Sequence, residues 1–236
     1  MKKMYCTLDT ETFGGAANPK GIYQLGGRIH DCKGKVSATF NYLICEHFEE
    51  IEGAFYGKKN FNRYAKMIED GSITMVATED EAIAAVDALC NFYNVDYMMA
   101  YNSSFDFCKT KCSQLIEERE FIDIFLMAVQ TISHLKKYAK FCRENGLKST
   151  TGKSVATSAE AMYAYITNNA QYEEEHTALE DSKIEMEIFL ACLKTHKRFT
   201  KNIHQYECKD NKCFPAWDPN SVKPKKTKAS DRLKDW

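Results

Sequence analysis

The alternation of apolar and polar positions is clearest at the start of the chain. Residues 5–13 are dominated by β-branched and aromatic side chains and read as a buried strand. Residues 22–30 read as a second strand, and residues 36–45 as a third, alternating through Phe40, Tyr42 and Ile44. Between them, Asp31-Cys-Lys-Gly34 has turn chemistry, with Asp first and Gly fourth. Residues 14–21, rich in Gly and Ala, read as a flexible loop. These strands predict an antiparallel meander. The period then lengthens. Phe61, Tyr64, Ala65 and Ile68 keep helical spacing, with Gly71 as a stop. Thr78-Glu-Asp-Glu81 is a capping box ahead of Ile83, Val86, Leu89, Cys90 and Tyr93. Residues 96–101 and 120–125 read as fourth and fifth strands, each followed by a helix. Thr157-Ser-Ala-Glu160 opens another helix, and the last long one spans residues 178–194. The pattern predicts an α/β fold with a mixed five-stranded sheet, three antiparallel strands and then parallel additions, flanked by helices. Periodicity fades after residue 200. Residues 1–200 are therefore read as one domain and residues 201–236 as a loosely packed extension with a basic tail.

Composition narrows the class without naming a chemistry. The chain has 236 residues, 44% of them hydrophobic, which suffices for a proper core. It contains no run of 18 apolar residues, so no membrane span is expected. The N-terminus becomes charged before a signal-peptide core could form, and ten cysteines follow no framework spacing. Both features predict a cytoplasmic protein with reduced thiols. A net charge of −1 does not advertise a polyanion partner. A nucleic-acid enzyme with this balance needs local basic patches and bound cations.

Candidate chemistry lies in three acidic stretches. Asp9 and Glu11 are two apart in a strand, so both carboxylates project from one face. A divalent cation would offset their repulsion, since hard oxygen ligands suit Mg²⁺ or Mn²⁺; a strand end in solvent is the alternative. Asn102-Ser-Ser-Phe-Asp106 follows the fourth strand, where α/β folds build sites; Ser103-x-x-Asp106 also reads as a capping box. In Glu173-Glu-Glu-His176-Thr-Ala-Leu-Glu-Asp181, the box Thr177-x-x-Glu180 starts a helix near Ala178. His176 then precedes the cap and Asp181 falls one turn inside, positions that are close in space. A loop histidine free to swing beside a held carboxylate suits a general base next to a metal ligand; a surface His near a helix-start acid is the plainer reading. His196, His204, Cys208 and Cys213 have a spacing open to zinc or to ordinary surface groups.

Taken together and in order, Asp9-Thr-Glu11, Asn102-Ser-Ser-Phe-Asp106 and His176-Thr-Ala-Leu-Glu-Asp181 resemble the motifs of the DEDDh group of proofreading-type 3′–5′ exonucleases, within the RNase H-like superfamily. The resemblance covers residues 4–195. It implies an RNase H-like three-layer fold, with Asp9, Glu11, Asp106 and Asp181 as ligands of two Mg²⁺ or Mn²⁺ ions and His176 as general base. It implies hydrolysis of DNA from the 3′ end with release of 5′-mononucleotides, an RNA-trimming enzyme being the alternative. Thr10, Thr12, Phe13 and Asn102 would meet the substrate, Phe13 as a wedge on a base or as plain core. Family members act freestanding, as homodimers or beside a polymerase. A catalytically silent nucleic-acid- or polymerase-binding module is the reading from another class. Two positions depart from the pattern: Tyr101 stands where the family commonly has His, and Thr12-Phe13-Gly14 where it has Thr-Gly. Asp123 matches a recurrent position expected to be structural.

Overall fold

Strand β1 (Met4–Gly15) lies inside the sheet. A computed structural model of the protein describes residues 3–15, 18–195, 206–209 and 212–215. β1 pairs antiparallel with β2 (Asn18–Asp31), which pairs antiparallel with β3 (Val36–Ile44). The ladder runs on to Gly15↔Asn18, through the stretch expected to be loop, with register shifts at Glu11/Thr12 and Phe13/Gly14. Bulges let a strand turn without breaking its pairing, which composition alone does not reveal. After a 3-10 turn (Cys45–Gly53) come α1 (Gly57–Glu69) and the short strand β4 (Thr74–Val76). Helix α2 (Glu79–Phe92), β5 (Tyr97–Ala100), α3 (Ser104–Lys109) and β6 (Glu120–Asp123) follow. Four further helices complete the fold: α4 (Ile124–Thr131), α5 (Lys136–Glu144), α6 (Ala159–Thr167) and α7 (Ala178–Thr195).

The sheet has six strands in the order β4-β3-β2-β1-β5-β6, not the expected five. The extra member is β4, three residues paired parallel to β3 from Tyr42↔Thr74 to Ile44↔Val76. Only Val76 of the three is buried, so no alternating pattern marks it. A separate two-stranded antiparallel pair joins β7 (Tyr206–Lys209) and β8 (Lys212–Pro215).

Strand alternation distributes β1 between two cores. Cys6 and Leu8 face one layer, packing with Ile83, Val86 and Cys90 of α2 and Phe107 of α3. Tyr5 faces the other, with Met99 of β5, Ile124 of α4, and Ile184, Ile188 and Phe189 of α7. Asp9 and Glu11 share parity with Tyr5 and so belong to the α7 face. Helix caps follow the sequence in part. Thr78 accepts from Glu81 N at 3.2 Å as expected, but α6 is capped by Ser158, one residue past Thr157, accepting from Ala161 N at 3.3 Å. Asp123 is structural as expected, accepting from Leu126 N at 3.1 Å to cap α4. Cys6, Cys90, Cys112, Cys142 and Cys192 are buried free thiols. No helix among the described residues is long and apolar enough to cross a membrane.

Candidate metal centre

The cleft opens where β5 stops short. β5 pairs with β1 only from Tyr5↔Tyr97 to Thr7↔Met99, and it ends at Ala100. Past Leu8, β1 has no strand on that side among the described residues. Asp9 and Glu11 project there on the α7 face. Gly26 of β2 stands opposite Asp9, and a Cβ at Gly26 would lie 2.3 Å from Leu179 N and 2.6 Å from Ala178 C. The missing side chain lets the first turn of α7 rest directly on the sheet. Two hydrogen bonds hold it: Ala178 N donates to Gln24 Oε1 at 3.2 Å, and Arg28 Nη2 donates to Leu179 O at 2.6 Å. Asp181, at the fourth position of α7, is thereby brought beside the strand acids. Asp9, Glu11 and Asp181 each offer a carboxylate oxygen, and these oxygens lie within 4.8 Å of one another.

Asp106 reaches the same cleft from the other side of β1. It sits in the first turn of α3, buried, and accepts the Thr10 hydroxyl at 2.6 Å as well as the Thr10 backbone N–H. Thr10 alternates away from Asp9 and Glu11, so it is spaced to anchor Asp106. Ser103 makes no side-chain cap, which removes the capping-box alternative for this motif. The Thr177 hydroxyl likewise makes no hydrogen bond, so the expected box at α7 is not formed by its side chain.

Crowding dominates the electrostatics. Burial first, then Glu185, Asp106, Asp181 and Glu11, raise the Asp9 carboxyl well above the usual carboxylate range. Glu11 is raised by burial and Asp181, with its Oε2 accepting from the Tyr23 hydroxyl at 3.3 Å. Burial pushes Asp106 up to about 7, and burial with Glu174 pushes Asp181 up to about 8. Asp181 Oδ1 is buried without a hydrogen-bond partner. A set of hard oxygens, mutually repelling and with one buried lone pair unserved, fits a divalent cation such as Mg²⁺ or Mn²⁺. The described residues thus contain a three-carboxylate group able to hold one such ion.

His176 is held rather than free to swing. Its backbone is left-handed, φ 54°, and its ring stacks on Tyr56 with centroids 3.8 Å apart at 18°. Buried Asn60 of α1 donates to the carbonyls of His176 and Glu175. Arg63, one turn on, donates to Glu175 O at 3.1 Å and pairs with the Glu175 carboxylate at 3.1 Å. Glu174 Oε2 lies 3.9 Å from His176 Nδ1. Burial, then Lys59, lowers the imidazole below its ordinary value, which keeps it neutral and able to accept a proton near pH 7.

A cleft of about 550 Å³ takes in Asp9, Glu11, Asp106, Asp181 and His176, and also Thr10, Thr12 and Asn102. Phe13 does not line it; its ring packs 4.8 Å from His47 at the edge of a cluster around Tyr23 and Tyr64. Phe55, Tyr56 and Phe105 supply the aromatic walls instead, and Phe55 is 86% exposed. Phe55 and Tyr56 lie between the 3-10 turn and α1, where no periodicity draws attention to them. No sequence motif singles out Glu174 or Glu185 either. Asp181 and Glu185, four apart on an otherwise apolar helix face, were the readable signal for the latter. His196, His204 and the basic tail at 222–236 fall outside the described residues, as do the side chains of Cys208 and Cys213.

No protein-family model matches the chain, and no curated protein matches it. Among solved structures, exonuclease I in its apo form aligns at 11% identity over 85% of this chain and 44% of its own, with a TM-score of 0.48. Escherichia coli exonuclease I in complex with a dT13 oligonucleotide aligns at 12% identity over 85% and 43%, also with a TM-score of 0.48. Cell-death related nuclease 4 aligns at 13% identity over 88% and 69%, with a TM-score of 0.36. This chain spans less than half the length of the exonuclease I chains.

Proposed function

We propose that residues 1–200 form a divalent-cation-dependent 3′–5′ exonuclease of the DEDDh type that releases 5′-mononucleotides from the 3′ end of DNA. The observation that carries this reading is the convergence of Asp9, Glu11 and Asp181 oxygens within 4.8 Å, in a cleft that also holds Asp106 and His176. Asp9, Glu11, Asp106 and Asp181 are the ligands for two Mg²⁺ or Mn²⁺ ions. When bound, such a pair supplies the charge neutralisation and Lewis acidity that in-line phosphodiester displacement requires. His176 turns Nδ1 toward Glu174 and offers Nε2 to take a proton from the attacking water. Tyr56 and Asn60 fix the ring and its backbone. Thr12 and Asn102 bind the terminal nucleotide, and exposed Phe55 stacks on a base, the part the resemblance offered Phe13 as one of two readings. A catalytically silent module has little use for four crowded carboxylates, whose burial destabilises the cation-free fold.

The test uses short 5′-labelled DNA and RNA strands of matched sequence, with Mg²⁺ or with EDTA. A metal-dependent ladder shortening from the 3′ end of DNA is expected. Faster loss of RNA would move the substrate to the RNA-trimming alternative. Binding of both strands without cleavage of either would replace the enzyme reading with the silent module.

A further inference from the structure

One buried acid beside the centre has no place in the four-carboxylate scheme. Glu185 lies one helical turn beyond Asp181 on α7 and is 4% exposed. The Tyr101 backbone N–H serves its carboxylate, yet Oε2 has no hydrogen-bond partner. Glu79, equally buried at 4%, shows what a structural carboxylate receives in this protein. It accepts from Ile22 N at 2.7 Å, contacts His47 Nε2 at 3.0 Å and lies 3.7 Å from Lys111 Nζ. Glu185 has carboxylates for company instead: burial first, then Asp106 and Asp181, raise it above the usual carboxylate range, and it leads the charged groups that raise Asp9. A buried anion without a counter-charge is costly, and nothing in the packing of α7 calls for one. A dication among Asp9, Glu11 and Asp181 would supply both the missing charge and, through its hydration shell, a donor for Oε2.

We propose that Glu185 is a fifth carboxylate of the metal centre, a positioning residue whose free Oε2 takes a hydrogen bond from the hydration shell of a cation held by Asp9, Glu11 and Asp181. The inference rests on the metal-centre reading above. Its test measures Mn²⁺ affinity by isothermal titration calorimetry, and melting temperature with and without Mn²⁺, for the full chain, Glu185→Gln and Glu185→Asp. Glu185→Gln keeps the shape and the Tyr101 contact while removing the charge. Its Mn²⁺ dissociation constant is expected to rise about 10–100-fold, the range for lost outer-shell partners. Its cation-free melting temperature is expected to rise as repulsion falls. Glu185→Asp, which keeps the charge, should bind Mn²⁺ more tightly than Glu185→Gln. Wild-type affinity in Glu185→Gln, or a lower cation-free melting temperature, would assign Glu185 to packing alone and overturn the proposal while leaving the centre intact. No Mn²⁺ binding by the wild-type chain would overturn the metal-centre reading itself, and this inference with it.

Discussion

Gly26 decides whether the acids of the centre meet. A methyl group there would sit 2.3 Å from the Leu179 amide nitrogen, whereas ordinary contacts begin near 3.4 Å. In Gly26→Ala, α7 must therefore retreat by about 1 Å or the strand must buckle, because neither backbone can compress. Overpacking of this kind costs about 1–3 kcal/mol. The lower backbone entropy of Ala returns about 0.5–1 kcal/mol, leaving a net loss of up to about 2.5 kcal/mol for a urea titration to measure. The larger effect is on function. Asp181 moves with α7 away from Asp9 and Glu11, and a displacement of about 1 Å at a reacting centre costs on the order of 10²-fold in rate. Calorimetric Mn²⁺ binding and exonuclease turnover should both weaken sharply while most of the protein remains folded. Gly53, with no atom within 4 Å of an added Cβ, is the control, and Gly53→Ala should leave all three readouts unchanged. Unaltered Mn²⁺ affinity and turnover in Gly26→Ala would refute the claim that this contact sets the position of Asp181.

Four further outcomes are expected. His176→Ala should keep cation affinity and lose about 10²–10⁴-fold in turnover, and unchanged turnover would remove His176 from the chemistry. Asn60→Ala releases the carbonyls of Glu175 and His176; steady-state kinetics should show kcat falling with Mn²⁺ affinity intact, and an unaltered kcat would show that Tyr56 stacking alone suffices. In EDTA, stability should fall as pH rises. Asp106 and Asp181 keep protons up to about 7 and about 8, whereas unfolded carboxyls release theirs near pH 4, so the native state binds more protons across that window. Urea midpoints should drop from about pH 5 to about pH 8, saturating Mg²⁺ should flatten the trend, and a level cation-free profile would contradict the crowding. Phe55→Ala should raise KM for single-stranded DNA with little change in kcat, since stacking is worth about 1–3 kcal/mol per base; an unchanged KM would clear Phe55 of substrate contact.

Strand parity carried most of what the sequence could say about the site. The two-residue spacing of Asp9 and Glu11 placed both on one face, and the start of α7 followed from residues 177–181. β4 escaped because three residues with one buried side chain have no period to detect. The hairpin through Gly14 and Gly15 escaped because glycine composition reads as loop while bulged pairing tolerates it. Side chains gathered from distant segments were hardest to foresee. Helical spacing suggested nothing of α1 as the clamp on the His176 loop, because Asn60 and Arg63 take their meaning from carbonyls more than 110 positions away. The Thr10 hydroxyl holds Asp106, a pairing across β1 that only the fold reveals.

The separation of Asp9 from Asp181 along the chain has a kinetic consequence. About 170 residues separate the two carboxylates, so their meeting is a contact of high sequence separation, of the kind that slows folding. A cation that binds only the completed structure adds about 2.7 kcal/mol at a hundred times its dissociation constant. A gain made only after the folding barrier appears as slower unfolding rather than as faster folding. Magnesium would then act on this chain as a latch, closed last on the way in and opened first on the way out.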